Sequence, residues 1–151
     1  MFYEVEKSGF LISTDKSKLD TGAIHDYLSK ESYWSKNIPL QTVLKSIEGS
    51  ICFGLYQQQQ QIGFARVVTD GAIFGYIADV FILKEFRGRG LSKWLMKTIL
   101  EHPGLQGFRR WMLGTKDAHG LYEQFGFKSI DDIYMILRLF TEYPPSQSPA
   151  K

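Results

Sequence analysis

An apolar run that passes into a basic, glycine-bearing turn and then into a helical pattern constrains this chain more than any other stretch. The apolar run occupies residues 80–83, the turn contains Arg87-Gly88-Arg89-Gly90, and the helical pattern begins at Leu91. The first N–H groups of a helix have no partner within it and lie at the positive end of its dipole. Glycines before such a helix let the backbone approach a ligand with no Cβ in the way. The stretch therefore predicts an anion site, and we expect it to hold a pyrophosphate.

Two better-known phosphate loops do not fit this turn. The P-loop signature Gly-x-x-x-x-Gly-Lys-Ser/Thr is absent from it. The dinucleotide signature Gly-x-Gly-x-x-Gly fails because Gly88-x-Gly90 has no third glycine behind it. The stretch Arg87–Ser92 instead matches Arg/Gln-x-x-Gly-x-Gly/Ala, with a serine at the last small position. It resembles the acetyl-CoA-binding motif of the GNAT acetyltransferase superfamily, and the plain alternative is a basic, solvated turn.

A second motif occupies residues 115–127. It resembles the later motif of the same superfamily, in which an alanine begins a helix and an aromatic-tyrosine pair precedes Gly-Phe. Here these positions hold Ala118, Leu121-Tyr122 and Gly126-Phe127. The resemblance implies that Tyr122 is the general acid that protonates a departing thiolate, a role that suits a side chain neutral near pH 7. The alternative is a core aromatic whose hydroxyl is satisfied by the backbone.

The order of the predicted elements agrees with this resemblance. Apolar periodicity predicts one strand of uncertain start in residues 2–13, helices at 20–30 and 39–47, and strands at 51–56, 62–68 and 72–83, the last one bulged near Ala78. A helix at 91–101, a strand at 107–115, a short helix at 118–125 and strands at 127–129 and 133–140 follow. The order resembles that of the GNAT fold, which implies an α/β architecture. Its central mixed, mostly antiparallel sheet would have about six or seven strands and about four flanking helices.

Composition favours one folded domain in a reducing compartment. Of the 151 residues, 44% are hydrophobic and 15% aromatic, which is enough to bury a real core. The net charge of +2 excludes nucleic-acid binding by bulk charge. The single Cys52 excludes an internal disulfide, and no apolar run approaches the roughly 18 residues of a membrane span. We expect a cytoplasmic protein with no membrane partner, a single domain at residues 1–142 and a flexible tail at 143–151.

The resemblance assigns acetyl-CoA to the first motif and to the strand before it. The N–H groups of the turn would hold the pyrophosphate, the strand would pair with the pantetheine arm, and the following strand would splay away to leave a slot. A backbone N–H near Val80 is the expected donor to the negative charge that develops on the thioester oxygen. The residues implied in cofactor binding are Val80, Phe81, Ile82, Arg87, Gly88, Arg89, Gly90, Leu91, Ser92, Lys93 and Thr115.

The general base is left open by the sequence. Many relatives carry an acidic pair such as Glu-Asp on this strand, and here the pair reads Ala78-Asp79. Asp79 is therefore the second candidate catalytic residue beside Tyr122. It can act as a base through water, bind a cationic substrate, or only fix the bulge. A dedicated base is dispensable where the amine loses its proton to water.

Three aromatic residues and one histidine are candidates for binding the substrate. Tyr33 and Trp34 lie in the loop between the first two predicted helices and suit an aromatic wall for an amine, although they can equally plug a helix interface. His25 is the histidine with a helical position near this loop, although a packed or solvated helix histidine is the commoner case. Tyr76 lies two positions from Ala78 and is expected to line the same slot.

These residues predict an acetyl-CoA-dependent N-acetyltransferase that transfers an acetyl group to a small primary amine by direct attack in a ternary complex. The alternatives are a protein or peptide N-acetyltransferase and a non-catalytic acyl-CoA sensor. A nucleic-acid reader is disfavoured because the aromatic residues stand at core spacing. Three histidines and one cysteine lack the spacing of metal ligands, so no metal is expected. A homodimer through the apolar residues 133–137 is conceivable, and the same residues can instead pair within the sheet.

Overall fold

Six strands form one sheet within residues 1–130 and 133–145, which the computed structural model describes. The strands lie side by side in chain order, and every neighbouring pair is antiparallel except the last, β5 with β6. The strands are β1 (Glu4–Lys7), β2 (Phe10–Ser13), β3 (Ile51–Gln57), β4 (Gln60–Thr69), β5 (Phe74–Ile82) and β6 (Arg110–Leu113). Antiparallel neighbours can be joined by short turns, and three of these pairs are hairpins: β1 with β2, β3 with β4 and β4 with β5. The connection from β2 to β3 is long and contains two α-helices.

Four α-helices accompany the sheet in the described part of the chain. They are α1 (Thr21–Asp26), which continues into a π-helical turn (Tyr27–Glu31), α2 (Leu40–Glu48), α3 (Leu91–Glu101) and α4 (His119–Glu123). The side chain of Asp20 accepts the N–H of Ala23 and caps α1, as the sequence predicts. The helices and the mixed, mostly antiparallel sheet confirm the predicted α/β fold class.

The chain divides into two units, and the sheet belongs to the first of them. This unit comprises Met1–Leu19 and Gly49–Lys128. In α3 the apolar residues recur at helical spacing, so Leu91, Leu95 and Ile99 form a buried stripe in the same core as strand residues such as Phe53 and Leu55. Each such side chain contributes roughly 1.5–3 kcal/mol when it is removed from water. The core thereby fixes α3 against β3 and β5 and holds the turn before α3 in place.

The second unit comprises Asp20–Glu48 and the chain from Ser129 onward. Its helices α1 and α2 contact each other, and their buried residues include Ile24, Leu28 and Val43. The predicted boundary of a single domain at residue 142 stays a prediction. Of the predicted tail at 143–151, residues 146–151 lie outside the described chain.

Two sequence predictions about strands are wrong. Residues 4–13 form a hairpin of two strands, where one strand was expected, because Ser8 and Gly9 turn the chain with φ angles of 52° and 84°. The strands expected at 127–129 and 133–140 are not formed, since residues 127–130 and 133–145 contain no strand. A bulge near Ala78 is confirmed by a register shift between β4 and β5.

Candidate active site

The parallel strands β5 and β6 pair over only half of β5. Their register runs from Phe74 opposite Arg110 to Ile77 opposite Leu113, where β6 ends. β5 continues to Ile82, still paired with β4 on its other side. Residues 78–82 therefore present an edge that pairs with no strand of the described chain. Such an edge can bind an extended ligand arm through backbone hydrogen bonds.

A β-bulge lies at the beginning of this open edge. Phe64 of β4 stands opposite Phe81 and Arg66 stands opposite Ala78, so two residues of β5, Asp79 and Val80, face the single residue between them on β4. Asp79 has a φ of 56°, the left-handed conformation that few residues other than glycine adopt. A bulge of this kind bends the strand and changes the direction of its own residues, here Asp79 and Val80.

An ion pair holds the side chain of Asp79. The Nε atom of Arg66 donates a hydrogen bond of 2.6 Å to Oδ2 of Asp79, and Nη1 of Arg66 donates one of 3.1 Å to Oγ of Ser50. The side chain of Asp79 is 8% exposed and that of Arg66 is 19% exposed. Sequence reasoning missed Arg66, although a charged residue within an otherwise apolar strand signals a buried partner.

The turn between β5 and α3 is shaped by backbone geometry. Nε of Arg87 donates a hydrogen bond of 3.0 Å to the carbonyl of Ile82, which ties the turn to the end of β5. Gly88 and Gly90 have φ angles of 81° and 76°, and no side chain caps the N-terminus of α3 at Gly90. The leading N–H groups of α3 are thus available to a ligand, as at other helix starts.

The space beside this turn fits a phosphate-bearing group. A Cβ built on Gly88 or on Gly90 would meet no atom within 4 Å, so both glycines border open space. Arg89 lies over the ring of Phe86 with its guanidinium carbon 5.4 Å from the ring centre, and it adds positive charge nearby. The exposed Lys93 lies on the first turn of α3. The chemistry of a pyrophosphate therefore suits the residues present.

Tyr122 is buried in the core of the first unit. It is 8% exposed and belongs to the same apolar cluster as Ile77 and Ile82 of β5. The ring of Phe127 approaches it edge to face at 6.1 Å. Thr115 fixes the start of this segment, because its Oγ1 accepts the N–H of Ala118 at 3.0 Å just before α4. The structure thus places Tyr122 in the unit that carries the open edge and leaves its catalytic role a prediction.

Tyr76 lies where β5 and β6 separate. It pairs with Met112, one residue before the last β5–β6 pair, and its side chain is 39% exposed. Its hydroxyl lies 3.8 Å from the position of a Cβ on Gly114, just beyond the end of β6. This position borders the open edge and is compatible with the predicted contact to a substrate.

The other predicted substrate residues belong to the second unit. Nε2 of His25 lies 2.9 Å from the carbonyl of Ile38 and donates to it, so this nitrogen ties α1 to the segment before α2. Tyr33 and Trp34 meet edge to face at 5.0 Å and are 48% and 37% exposed. Their contact with a substrate stays a prediction.

The described residues form neither a cluster of metal ligands nor a membrane-spanning helix. Among these residues, no three histidine, cysteine, aspartate or glutamate side chains are grouped as a metal site requires. Over residues 1–130 and 133–145, no helix is both long and apolar enough to cross a bilayer.

A mostly antiparallel sheet that splits beside a glycine-bearing helix start places this protein in the class of α/β proteins with a mixed sheet. Within this class, the model of the Acetyltransferase (GNAT) family matches residues 21–127, and the chain belongs to that family. The resemblance found in the two sequence motifs is thereby confirmed. Members of this family generally use acetyl-CoA as co-substrate.

Known proteins agree with this assignment. A Gibberella zeae protein that bears the name of an acetyltransferase is 33% identical, with 77% of each chain covered. A GNAT-family protein of known structure from Xanthomonas campestris is 45% identical with a TM-score of 0.83, over 90% of this chain and 96% of its own. A third structure, from Deinococcus radiodurans, is 18% identical with a TM-score of 0.70, over 91% of this chain and 94% of its own, and shares the fold.

Proposed function

We propose that this protein is an acetyl-CoA-dependent N-acetyltransferase that acts on a small primary amine by direct attack in a ternary complex. The observation that carries the proposal is the open edge at residues 78–82, which leads directly into the glycine turn before α3. An extended ligand with a pyrophosphate at one end matches both features in sequence and chemistry.

Different residues bind different parts of acetyl-CoA. The backbone N–H groups of residues 88–93 hold the pyrophosphate, and Arg89 and Lys93 supply positive charge near it. Val80, Phe81 and Ile82 pair with the pantetheine arm through the open edge, and Thr115 borders the far side of the slot. Acetyl-CoA supplies the thioester carbonyl that the amine attacks.

Two groups of the chain serve the chemistry. The N–H of Val80, the second residue of the bulge, donates to the thioester oxygen as negative charge develops there. Tyr122 gives its proton to the departing thiolate. Tyr76 contacts the amine, whereas the substrate role of His25, Tyr33 and Trp34, which belong to the second unit, stays a prediction. The reaction takes place in the cytoplasm, with neither nucleic acid nor membrane as a partner.

One observation favours a second candidate, the acyl-CoA sensor. The carboxylate of Asp79 is bound to Arg66, so the one acidic side chain of the open edge is engaged by a cation. A protein that binds the cofactor without a free base on this strand can act as a sensor. A peptide acceptor stays as an alternative to the small amine.

Melting with and without acetyl-CoA tests the proposal. At a ligand concentration one hundred times Kd, binding stabilises the folded state by about 2.7 kcal/mol. For a domain of this size we expect Tm to rise by about 5–10 °C. Pantetheine is the matched control, because it lacks the pyrophosphate and leaves the turn empty. A Tm that acetyl-CoA does not raise would contradict the proposal.

Release of free thiol separates the enzyme from the sensor. The protein is mixed with acetyl-CoA and a panel of small amines and, in parallel, of peptides with free N-termini or lysines. An N-acetyltransferase releases CoA only when a suitable amine is present. A raised Tm without thiol release from any acceptor would favour the sensor.

A further inference from the structure

The left-handed backbone conformation of Asp79 is not explained by the binding roles proposed above. A φ of 56° is unfavourable for any residue with a Cβ, although aspartate and asparagine tolerate it better than most. Such strain persists only where the surroundings hold it. Asp79 stands immediately before Val80, the residue whose N–H serves the thioester oxygen.

Arg66 forms an ion pair with the side chain of Asp79 in this conformation. Its guanidinium joins two strands and a third segment, since it extends from β4, donates to Asp79 in β5 and donates to Ser50 directly before β3. The pair is largely removed from solvent, with side chains 8% and 19% exposed. A charge-assisted hydrogen bond in such surroundings is stronger than one on the surface.

From this geometry we propose that Arg66 is a positioning residue for acyl transfer. Its ion pair locks the bulge at Asp79 and thereby fixes the direction of the Val80 N–H. The carboxylate of Asp79 serves this lock and does not accept the proton of the amine. The inference rests on the proposed function and selects one of the three roles that the sequence left open for Asp79.

Substitutions at Asp79 separate a backbone role from a base. Asparagine keeps the tolerance for the left-handed conformation and an oxygen that can accept from Arg66, whereas alanine keeps neither. We expect kcat to fall about 100-fold for Asp79→Ala and only about tenfold for Asp79→Asn, with little change in the KM for acetyl-CoA because the glycine turn is untouched. An equal loss of kcat in Asp79→Ala and Asp79→Asn would overturn the lock. Both variants remove the carboxylate, so a role as base or as charged substrate contact would be lost equally in the two.

Substitution of Arg66 tests the other half of the pair. Arg66→Met should lower kcat about as much as Asp79→Ala, and the double variant should be no worse than either single one, since all three break the same lock. The matched control is the exposed ion pair of Lys97 with Glu101 on α3. Lys97→Met should keep the kcat and KM of the unaltered protein. Wild-type kcat in Arg66→Met, or fully additive losses, would overturn the inference.

Hydrogen exchange tests the lock without any need for activity. In the ligand-free protein, Arg66→Met should speed the exchange of amides in residues 77–82 by about tenfold, while α3 and the Lys97→Met control stay unchanged. If the unaltered protein releases no thiol, the proposed function fails, and this exchange result still decides whether Arg66 fixes the bulge. Unchanged exchange at residues 77–82 would refute the lock.

Discussion

The side chain of Tyr122 is both a part of the core and the proposed general acid. It is 8% exposed and fills part of the core, while its hydroxyl is the proposed proton donor. Tyr122→Phe keeps the ring and removes only the oxygen. We expect kcat to fall by about 10²-fold, with the Kd for acetyl-CoA and the free energy of unfolding little changed. Steady-state kinetics and calorimetry check this, and an unaltered kcat would remove the acid role.

Gly90 allows a test of the phosphate turn at a single residue. Its φ is 76° and a Cβ would meet no atom within 4 Å, so Gly90→Ala costs backbone strain of about 1–2 kcal/mol without a clash. We also expect the Kd for acetyl-CoA to rise about tenfold, because the Cβ occupies the space of the pyrophosphate.

Gly71 provides the matched control for Gly90. It lies between β4 and β5, has a φ of 75° and likewise borders open space. Gly71→Ala should therefore lose a similar unfolding free energy in denaturant but keep the Kd measured by calorimetry. Equal Kd values for the two variants would show that the pyrophosphate lies elsewhere.

At the scale of elements, most strands and helices could be predicted from local sequence patterns. Features that depend on pairing between strands distant in the sequence could not. The helix after Gly90 and the bulge near Ala78 follow from periodicity and could be predicted. The turn at Ser8-Gly9 carries a dipeptide typical of turns, and it was overlooked because the strands beside it are only four residues long. The partner of Arg66 could not be identified, because it depends on the register of two strands.

The histidine at the end of α3, His102, is expected to make the stability of the fold depend on pH. His102 follows the helix, contacts the rings of Tyr3 and Phe53 edge to face, and accepts the N–H of Gly104 at Nδ1. Burial lowers the pKa of His102 below its ordinary value of 6.5. The unfolded chain therefore binds this proton more readily than the folded one. The contribution of neutral His102 to stability is complete above pH 6.5 and is lost as the pH falls below that value.

Melting curves at two pH values measure this effect. His102→Asn retains an oxygen that can accept from Gly104 and has no charge to gain. We expect the drop in Tm between pH 7.5 and pH 5.5 to be smaller in His102→Asn than in the unaltered protein. Lys97→Met serves as the control, because it changes a residue of α3, the helix that ends just before His102. An equal drop in all three proteins would contradict the assignment of the titration to His102.

At the scale of the whole molecule, two short motifs in the right order were enough to predict the family. They mark the turn before α3 and the segment of Tyr122, which the structure places in one unit. The acceptor could not be predicted in the same way. His25, Tyr33 and Trp34 belong to the other unit, and their spacing in the sequence carries no information about the shape of a binding surface.

The exposed apolar side chains after α4 lead us to expect that the protein forms a dimer. In the described residues 130 and 133–140, seven large apolar side chains are 58–99% exposed, and Arg138 is the one charge in the sequence from 133 to 140. Exposed apolar surface of this extent marks an interaction site more often than free surface. We expect a second copy of the chain to cover it and sedimentation to show a dimer.

The double variant Met135→Lys/Leu137→Lys tests this assembly. Both side chains are strongly exposed, at 99% and 84%, so lysine is tolerated in the monomer and disfavours burial in an interface. We expect sedimentation at equal concentration to show a dimer for the unaltered protein and a monomer for the double variant. The control is Ile73→Lys, which changes an apolar side chain 59% exposed between β4 and β5 and should leave the dimer intact. A monomeric unaltered protein would contradict the prediction, and a dimer that survives both lysines would place the interface on another surface.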